Sequence, residues 1–222
     1  MPIISHQKIA LLLMAAGSSS RLGQPKQLIE IVEKQKQSQS LLRRQITIMN
    51  SVSLSTNAAS FCVLGSQREK LRTHLVNFLP AKTLTLVDNP HWSHGLSASI
   101  AKGVSSLGSD IDAVLILLVD QWQLTAENLT SLILEWQQQP DKIHIASHND
   151  CISPPVIFPS SLFNELTLLS GDSGAKQVIN KHMKNVILKE MPSAFVDLDT
   201  PEQLLVLKKK NKTHITNNNA TK

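Results

Sequence analysis

The chain has 222 residues, with 22 lysines and arginines against 17 aspartates and glutamates, 41% hydrophobic and only 4% aromatic residues. That composition excludes disordered, collagenous and disulfide-built classes and is ample for one large core. The formal excess of +5 does not argue for nucleic acid or an anionic membrane as partner, because residues 208–222 hold five lysines and no acid, leaving 17 charges of each sign before them.

Cys62 and Cys151 are too far apart in the chain to suggest a disulfide framework or a Cys-x-x-Cys metal pair, so a reducing, cytoplasmic setting is expected. The longest apolar runs, Ile9 to Ala16 and Ala113 to Val119, fall well short of the roughly 18 residues that cross a bilayer as a helix. Lys8 followed by IALLLMAA has the outline of a short signal peptide. A single lysine is a poor positive region, however, and a buried parallel strand leading into a glycine turn accounts for the segment better.

In chain order the pattern predicts a strand at 8–15, a helix at 39–54, a strand at 60–65, a helix at 67–78 and a strand at 83–88. A helix at 95–107, a strand at 112–119, a helix at 125–138 and a strand at 143–146 follow. This alternation specifies a mainly parallel sheet with helices on both faces. Beyond residue 150 the pattern loosens: a Pro154-Pro155 pair precedes a short VIF run, then come helices near 160–169 and 173–182 and strands near 186–190 and 195–198. A last helix is predicted to start at Thr200-Pro201-Glu202, with Thr200 as N-cap and Pro201 as first helical residue. The polar stretch Glu33 to Ser40 reads as a surface loop, and the lysine-rich tail as a frayed, soluble end.

The most informative segment is Met14-Ala-Ala-Gly-Ser-Ser-Ser-Arg-Leu-Gly-Gln-Pro-Lys26, directly after the first strand. Ala15, Ala16 and Gly17 let a ligand approach the main chain, where successive N–H groups can form an anion-binding nest, and Arg21 and Lys26 add two positive charges. Such a set suits a triphosphate whose leaving pyrophosphate gains negative charge. It is not a Walker A loop, because five residues separate Gly17 from Gly23 and no Gly-Lys-Ser/Thr follows, nor is it G-x-G-x-x-G.

Asp120 ends the apolar run AVLILLV and is expected at the carboxyl edge of the sheet, where a carboxylate can hold Mg²⁺ against phosphate oxygens. In Val196-Asp-Leu-Asp-Thr-Pro-Glu202, Asp197 and Asp199 have strand spacing, and either could complete such a site. The plainer readings are a turn aspartate at 120 and capping of the last helix at 197–199. His91 and His94, and the group His144, His148 and Cys151, read as ordinary loop and strand residues, since no oriented tetrahedral ligand set is evident.

The ordered segments MAAGSSSRLGQPKQL, DNPHWSHGLSASIAKGV, LLVDQ, PPVIFPSSLF, LSGDSGAKQVI and VDLDTPEQL resemble the molybdenum cofactor cytidylyltransferases and their relatives in the MobA-like NTP transferase family. The resemblance spans about residues 8–207, so residues 1–207 are expected to form one MobA-like domain and 208–222 a basic tail. It implies a Rossmann-like nucleotidyltransferase fold that transfers CMP from CTP to the terminal phosphate of a molybdopterin-type cofactor, with Mg²⁺. It also implies a molybdoenzyme client, and neither a nucleic acid nor a membrane partner.

Carried over motif by motif, Gly17, Arg21 and Lys26 match the family's phosphate loop, Asp120 its metal-binding aspartate, and Asp197 and Asp199 its second acidic segment. Asn89, Gly95, Ser97 and Ser99 match the nucleotide side, and Gly171, Asp172 and Gly174 the segment associated with the pterin. Ala15-Ala16-Gly17 is similar to the cytidylyl branch rather than the guanylyl branch. Trp122 departs from the family, which usually has proline there, so the turn presenting Asp120 is expected to be less constrained. The same motifs leave room for a guanylyl-, sugar- or polyol-phosphate transferase, and for a cofactor-binding maturation factor without catalysis.

Overall fold

The structure, a computed structural model, describes residues 7–32, 38–78, 84–198 and 200–205. In chain order the regular elements are β1 (Ile9–Ala15), β2 (Glu30–Val32), β3 (Ser38–Ser40), α1 (Leu41–Thr56), β4 (Ala59–Leu64), α2 (Arg68–Leu75) and β5 (Leu84–Asp88). They continue as α3 (Leu96–Val104), β6 (Ala113–Leu118), α4 (Ala126–Trp136), β7 (Ile143–His148), β8 (Cys151–Pro159), α5 (Phe163–Thr167), α6 (Lys176–Lys181) and β9 (Val186–Glu190). None of the described helices is long and apolar enough to cross a membrane.

Seven strands form one sheet in the order β5-β4-β1-β6-β8-β7-β9, in which β8 alone runs against its neighbours. The α/β class and mainly parallel sheet expected from the alternation are observed. Every residue of β1 is buried, and its side chains divide by parity. Leu11 and Leu13 enter the layer filled by α1, α2 and α4, whereas Ala10, Leu12 and Met14 enter the layer filled by α3, α5 and α6. A strand covered on both faces must be apolar at every position, which is why IALLLMA shows no alternation.

The chain leaves β1 towards β4 and β5, then returns past β1 to form β6 on its other side. Order therefore reverses between β1 and β6, where open α/β sheets bind ligands beyond the strands' carboxyl ends. The register aligns Met14 with Leu118, and the Val119 N–H donates to the Met14 carbonyl at 3.2 Å.

Three local expectations are corrected. Residues 38–40, read as part of a surface loop, form β3, which pairs antiparallel with β2 and ends in Ser40, the N-cap of α1. The strand expected at 195–198 does not form: Phe195 ends a 3₁₀ turn, Pro192–Phe195, that Pro192 favours by its helical φ, and residues 196–198 carry no regular structure. The VIF run is only part of the carboxyl half of the nine-residue β8, which carries Pro154 and Pro155 beside an irregularity in its pairing with β7, where a missing N–H is tolerated. Thr200 does cap the last helical turn, 201–205, since the Gln203 N–H donates to its Oγ1 at 3.3 Å and Gln203 Oε1 accepts from the Thr200 N–H at 2.9 Å. Asp199 and the 208–222 tail lie outside the described residues.

Cys62 and Cys151 are both free thiols, one sealed in the sheet and the other exposed. Burial pushes the Cys62 thiol up to about 12.

His144 on β7 is 1% exposed, with Nε2 3.3 Å from the Gln139 carbonyl. Burial lowers its pKa below the ordinary 6.5, so on acidification the unfolded chain takes up that proton first. The stability this neutral imidazole contributes is present above pH 6.5 and is lost as pH falls below it. The urea midpoint is expected to drop between about pH 7.5 and pH 5.5, with a shallower drop in His144→Gln. An unchanged slope in that variant would exclude burial of His144 as a cause.

Candidate phosphate-binding site at the β1–β6 junction

A cleft of about 450 Å³ opens at the joined carboxyl ends of β1 and β6. Ala16, Gly17, Arg21 and Lys26 line it from the first loop, Asp120 from the turn after β6, and Gly95, Ser99 and Asp172 from the opposite wall. Among the described residues these are the sequence-predicted positions that the cleft collects.

The first loop is folded by its own small and polar residues. Ser19 adopts a left-handed conformation (φ 57°) ahead of a 3₁₀ turn at Ser20–Leu22, and its Oγ accepts from the Lys26 N–H at 3.0 Å. Leu22 is buried, which anchors the turn and leaves the exposed Arg21 at the cleft. Gln27, whose role no local sequence signal marks, is 1% exposed and donates Nε2 to the carbonyls of Ala15 and Gly17, both at 2.9 Å. Because a trans peptide points its N–H opposite to the preceding carbonyl, the Ala16 and Ser18 N–H groups are directed away from Gln27.

Asp120 is 7% exposed and pairs through Oδ2 with Lys26 Nζ. Its Oδ1 is buried and has no hydrogen-bond partner among the described residues. The pair's side chains are only 16% and 10% exposed, so removing one member strands a largely desolvated charge, at a cost on the order of 3–5 kcal/mol.

The turn presenting Asp120 is held by Gln121, despite Trp122 standing where proline was expected. The fully buried Gln121 donates Nε2 to the carbonyls of Pro154 and of Ala194, the latter at 2.8 Å, and accepts from the Leu118 N–H at 3.3 Å. Its own carbonyl accepts from Gln45 Nε2 of α1 at 2.9 Å and from the Leu124 N–H at 3.2 Å. Trp122 packs against the core beside them. Hydrogen bonds from four parts of the chain thus supply the constraint a proline ring would give covalently.

On the opposite wall, Gly95 has φ +93°, and a Cβ there would lie 2.0 Å from Asp172 Oδ1. Only glycine lets the 170–174 segment close onto the start of α3, where the Ser97 N–H donates to the Gly171 carbonyl at 3.3 Å and Ser97 Oγ to the Gly174 carbonyl at 3.2 Å. Trp92 is a further cleft residue that composition did not reveal. A Cβ on Gly65 would sit 2.5 Å from Trp92 Cβ and 2.6 Å from the Ala16 carbonyl oxygen, so that glycine makes room for the indole against the first loop.

The other predicted positions lie outside the cleft lining. Ala15 is buried beneath the loop, and Asn89 is a turn residue, donating Nδ2 to Ser99 Oγ at 3.0 Å and accepting from the His91 N–H at 3.0 Å. Ser97 and Gly171 serve the wall contacts just described. Gly174 borders a second, mostly aliphatic pocket of about 240 Å³, which shares Leu96 and Leu118 with the cleft and has Lys176 among its lining residues. Asp197, partly buried after the Pro192–Phe195 turn, is not among the cleft residues. Among the described residues no three His, Cys, Asp or Glu side chains gather as a metal cluster. His91 and His94 stack with ring centroids 5.4 Å apart.

The Asp120 carboxylate lines a cleft that also carries two cations and backbone amides, and its buried Oδ1 has no hydrogen-bond partner among the described residues, which fits a single protein carboxylate holding a divalent cation. It does not resemble an all-protein metal cage.

A cleft carrying two cations and a buried carboxylate at the switch point of a Rossmann-like sheet is what this fold and these residues define. Residues 11–186 match the MobA-like NTP transferase domain, and the chain belongs to that family. A curated relative, the purine catabolism protein PucB of Bacillus subtilis (strain 168), is 30% identical over 113 residues, covering 50% of this chain and 52% of PucB. The chain thus matches about half the length of that relative. Among solved structures, Rv0371c of Mycobacterium tuberculosis H37Rv superposes with TM-score 0.73 at 20% identity, over 91% of this chain and 98% of that one. Molybdopterin-guanine dinucleotide biosynthesis protein A of Archaeoglobus fulgidus gives TM-score 0.62 at 14% identity, over 93% and 100%. At these identities the structures establish the shared fold.

Replacing Gln121 by Met removes the donor to Pro154 and Ala194 and the acceptor for Leu118 without emptying the site. Each stranded buried group costs about 1–3 kcal/mol. Gln121→Met is therefore expected to lower the urea midpoint strongly, and a midpoint equal to wild type would refute the bracing role.

Proposed function

We propose that the protein transfers CMP from CTP to the terminal phosphate of molybdopterin cofactor and releases pyrophosphate. The observation that carries this reading is the meeting of Arg21, Lys26, the Ala16–Ser18 turn and Asp120 in one cleft, within a chain of the MobA-like family.

In this reading an oxygen of the acceptor phosphate forms a bond to the α-phosphorus of the nucleotide. The bond from that phosphorus to the bridging oxygen breaks, and its electrons leave with pyrophosphate. The acceptor is already ionised at neutral pH, so no side-chain base is required. Arg21, Lys26 and the loop amides take up the charge that grows on the leaving group, and a low-dielectric cleft strengthens each contact. Asp120 would hold a divalent cation, which supplies further charge neutralisation at the phosphate oxygens.

Two features support a pyrimidine base: the Ala16 methyl and the Trp92 indole both narrow the cleft beside the first loop. The acceptor is assigned to the Asp172 wall and the adjoining pocket bordered by Gly174 and Lys176, which is continuous with the cleft through Leu96 and Leu118. The half-length match to a purine catabolism protein supports a molybdoenzyme of purine breakdown as client. A cytoplasmic location accompanies the reading.

Pyrophosphate release with purified protein, Mg²⁺, molybdopterin cofactor and each of CTP, GTP, ATP and UTP tests it. CTP is expected to give the highest kcat/KM, and Asp120→Asn or Lys26→Ala to lower turnover by about 10²–10³ or more, on the scale of losing a preorganised charge contact. Near-wild-type turnover in either variant removes that residue from the chemistry. Release with another nucleotide alone reassigns the base, and saturable cofactor binding without any release makes the protein a maturation factor.

A further inference from the structure

We infer that in the nucleotide-free protein the Lys26 ammonium holds the place of the divalent cation at Asp120, so that a metal ion enters this site together with a polyphosphate rather than before it. The inference rests on the proposed reading of the site and adds an order of binding to it.

Three observations carry it. Lys26 Nζ is bound to Asp120 Oδ2, and both side chains are largely buried, so one oxygen of this cleft carboxylate is already occupied by a positive charge. The other oxygen, Oδ1, is buried and has no hydrogen-bond partner among the described residues, which leaves room in the carboxylate's valence for a second contact. The backbone of Lys26 is fixed, because its N–H donates to Ser19 Oγ and it opens the Lys26–Leu28 3₁₀ turn, so any exchange of partners by the ammonium has to come from rotation of its four-carbon stem.

A dication approaching Asp120 alone meets an ammonium on the same carboxylate, and like charges at contact in a site this shielded repel strongly. A triphosphate in the cleft changes the balance. Its oxygens offer the ammonium a new partner, which releases the carboxylate; Asp120 would then be available to hold the divalent cation, which would supply charge neutralisation at the phosphate oxygens. Thermodynamic linkage makes the effect reciprocal: whatever draws Lys26 off Asp120 tightens metal binding, and the metal in turn favours the swung lysine and the nucleotide.

The test is the binding of Mn²⁺ alone, read from the electron paramagnetic resonance signal of the free ion, with no nucleotide present. Wild type is expected to bind it weakly, and Lys26→Met at least tenfold more tightly. Lys26→Arg, which keeps a cation beside the carboxylate, is expected to stay near wild type, and Lys26→Met combined with Asp120→Asn to lose the gain. If Lys26→Met does not fold, Lys26→Gln provides the same comparison, since its amide still donates to Asp120 without the charge. Equal or weaker Mn²⁺ binding in the neutral variant overturns the inference, even if CTP-dependent turnover in wild type upholds the proposed function. Tighter Mn²⁺ binding in a protein that shows no pyrophosphate release keeps the exchange and removes only the assigned reaction.

Discussion

Parallel pairing of β1 with β6 is the constraint on which the site depends. The two strands run buried on both faces, and their register sets Met14 against Leu118, so the loop after one and the turn after the other emerge side by side. A slip of one residue would shift the acidic turn by about 3.3 Å and exchange the faces of an entire strand. Lys26 and Asp120 are 94 residues apart in the chain, yet that register brings the loop of one beside the turn of the other. The arrangement of the cleft is thus a property of sheet order before it is a property of any motif.

Two glutamines translate the order of the sheet into the geometry of the cleft. Gln27 ties the first loop to the end of β1, and Gln121 ties the acidic turn to β8 and to the segment after β9. Both are fully buried amides whose side chains reach backbone carbonyls. An amide suits this task because it donates to more than one carbonyl without bringing a net charge into a low-dielectric interior. The antiparallel β8 matters here, for it delivers Pro154 to the side of the acidic turn.

The legible and illegible parts of the molecule divide along the range of the interactions involved. β1, β4, β5 and β6 could be read within a residue or two because continuous apolar runs ended by Gly, Asn or Asp are local signals. The same signals placed Lys26 and Asp120 at the edge of the sheet. The β2–β3 ribbon was not legible, since three-residue polar strands carry no periodicity. Asp197 looked like a strand residue by spacing, but Pro192 had already turned the backbone towards a 3₁₀ geometry upstream. Trp122 looked like a loosened turn because the compensating bonds of Gln121 go to residues 33 and 73 positions away, and Gly65 and Trp92 disclose their relation only once β4 lies beside β1.

The two bonds from Gln27 to the Ala15 and Gly17 carbonyls have an energetic consequence for anion capture. By holding those peptide planes, they orient the dipoles of the loop during folding, so an anion entering the cleft would meet a field that is already aligned. Water would have to rearrange its own dipoles around the same charge, and that reorganisation is absent here. The alignment of the peptide dipoles at the cleft is therefore set by a neutral side chain rather than by a charged one.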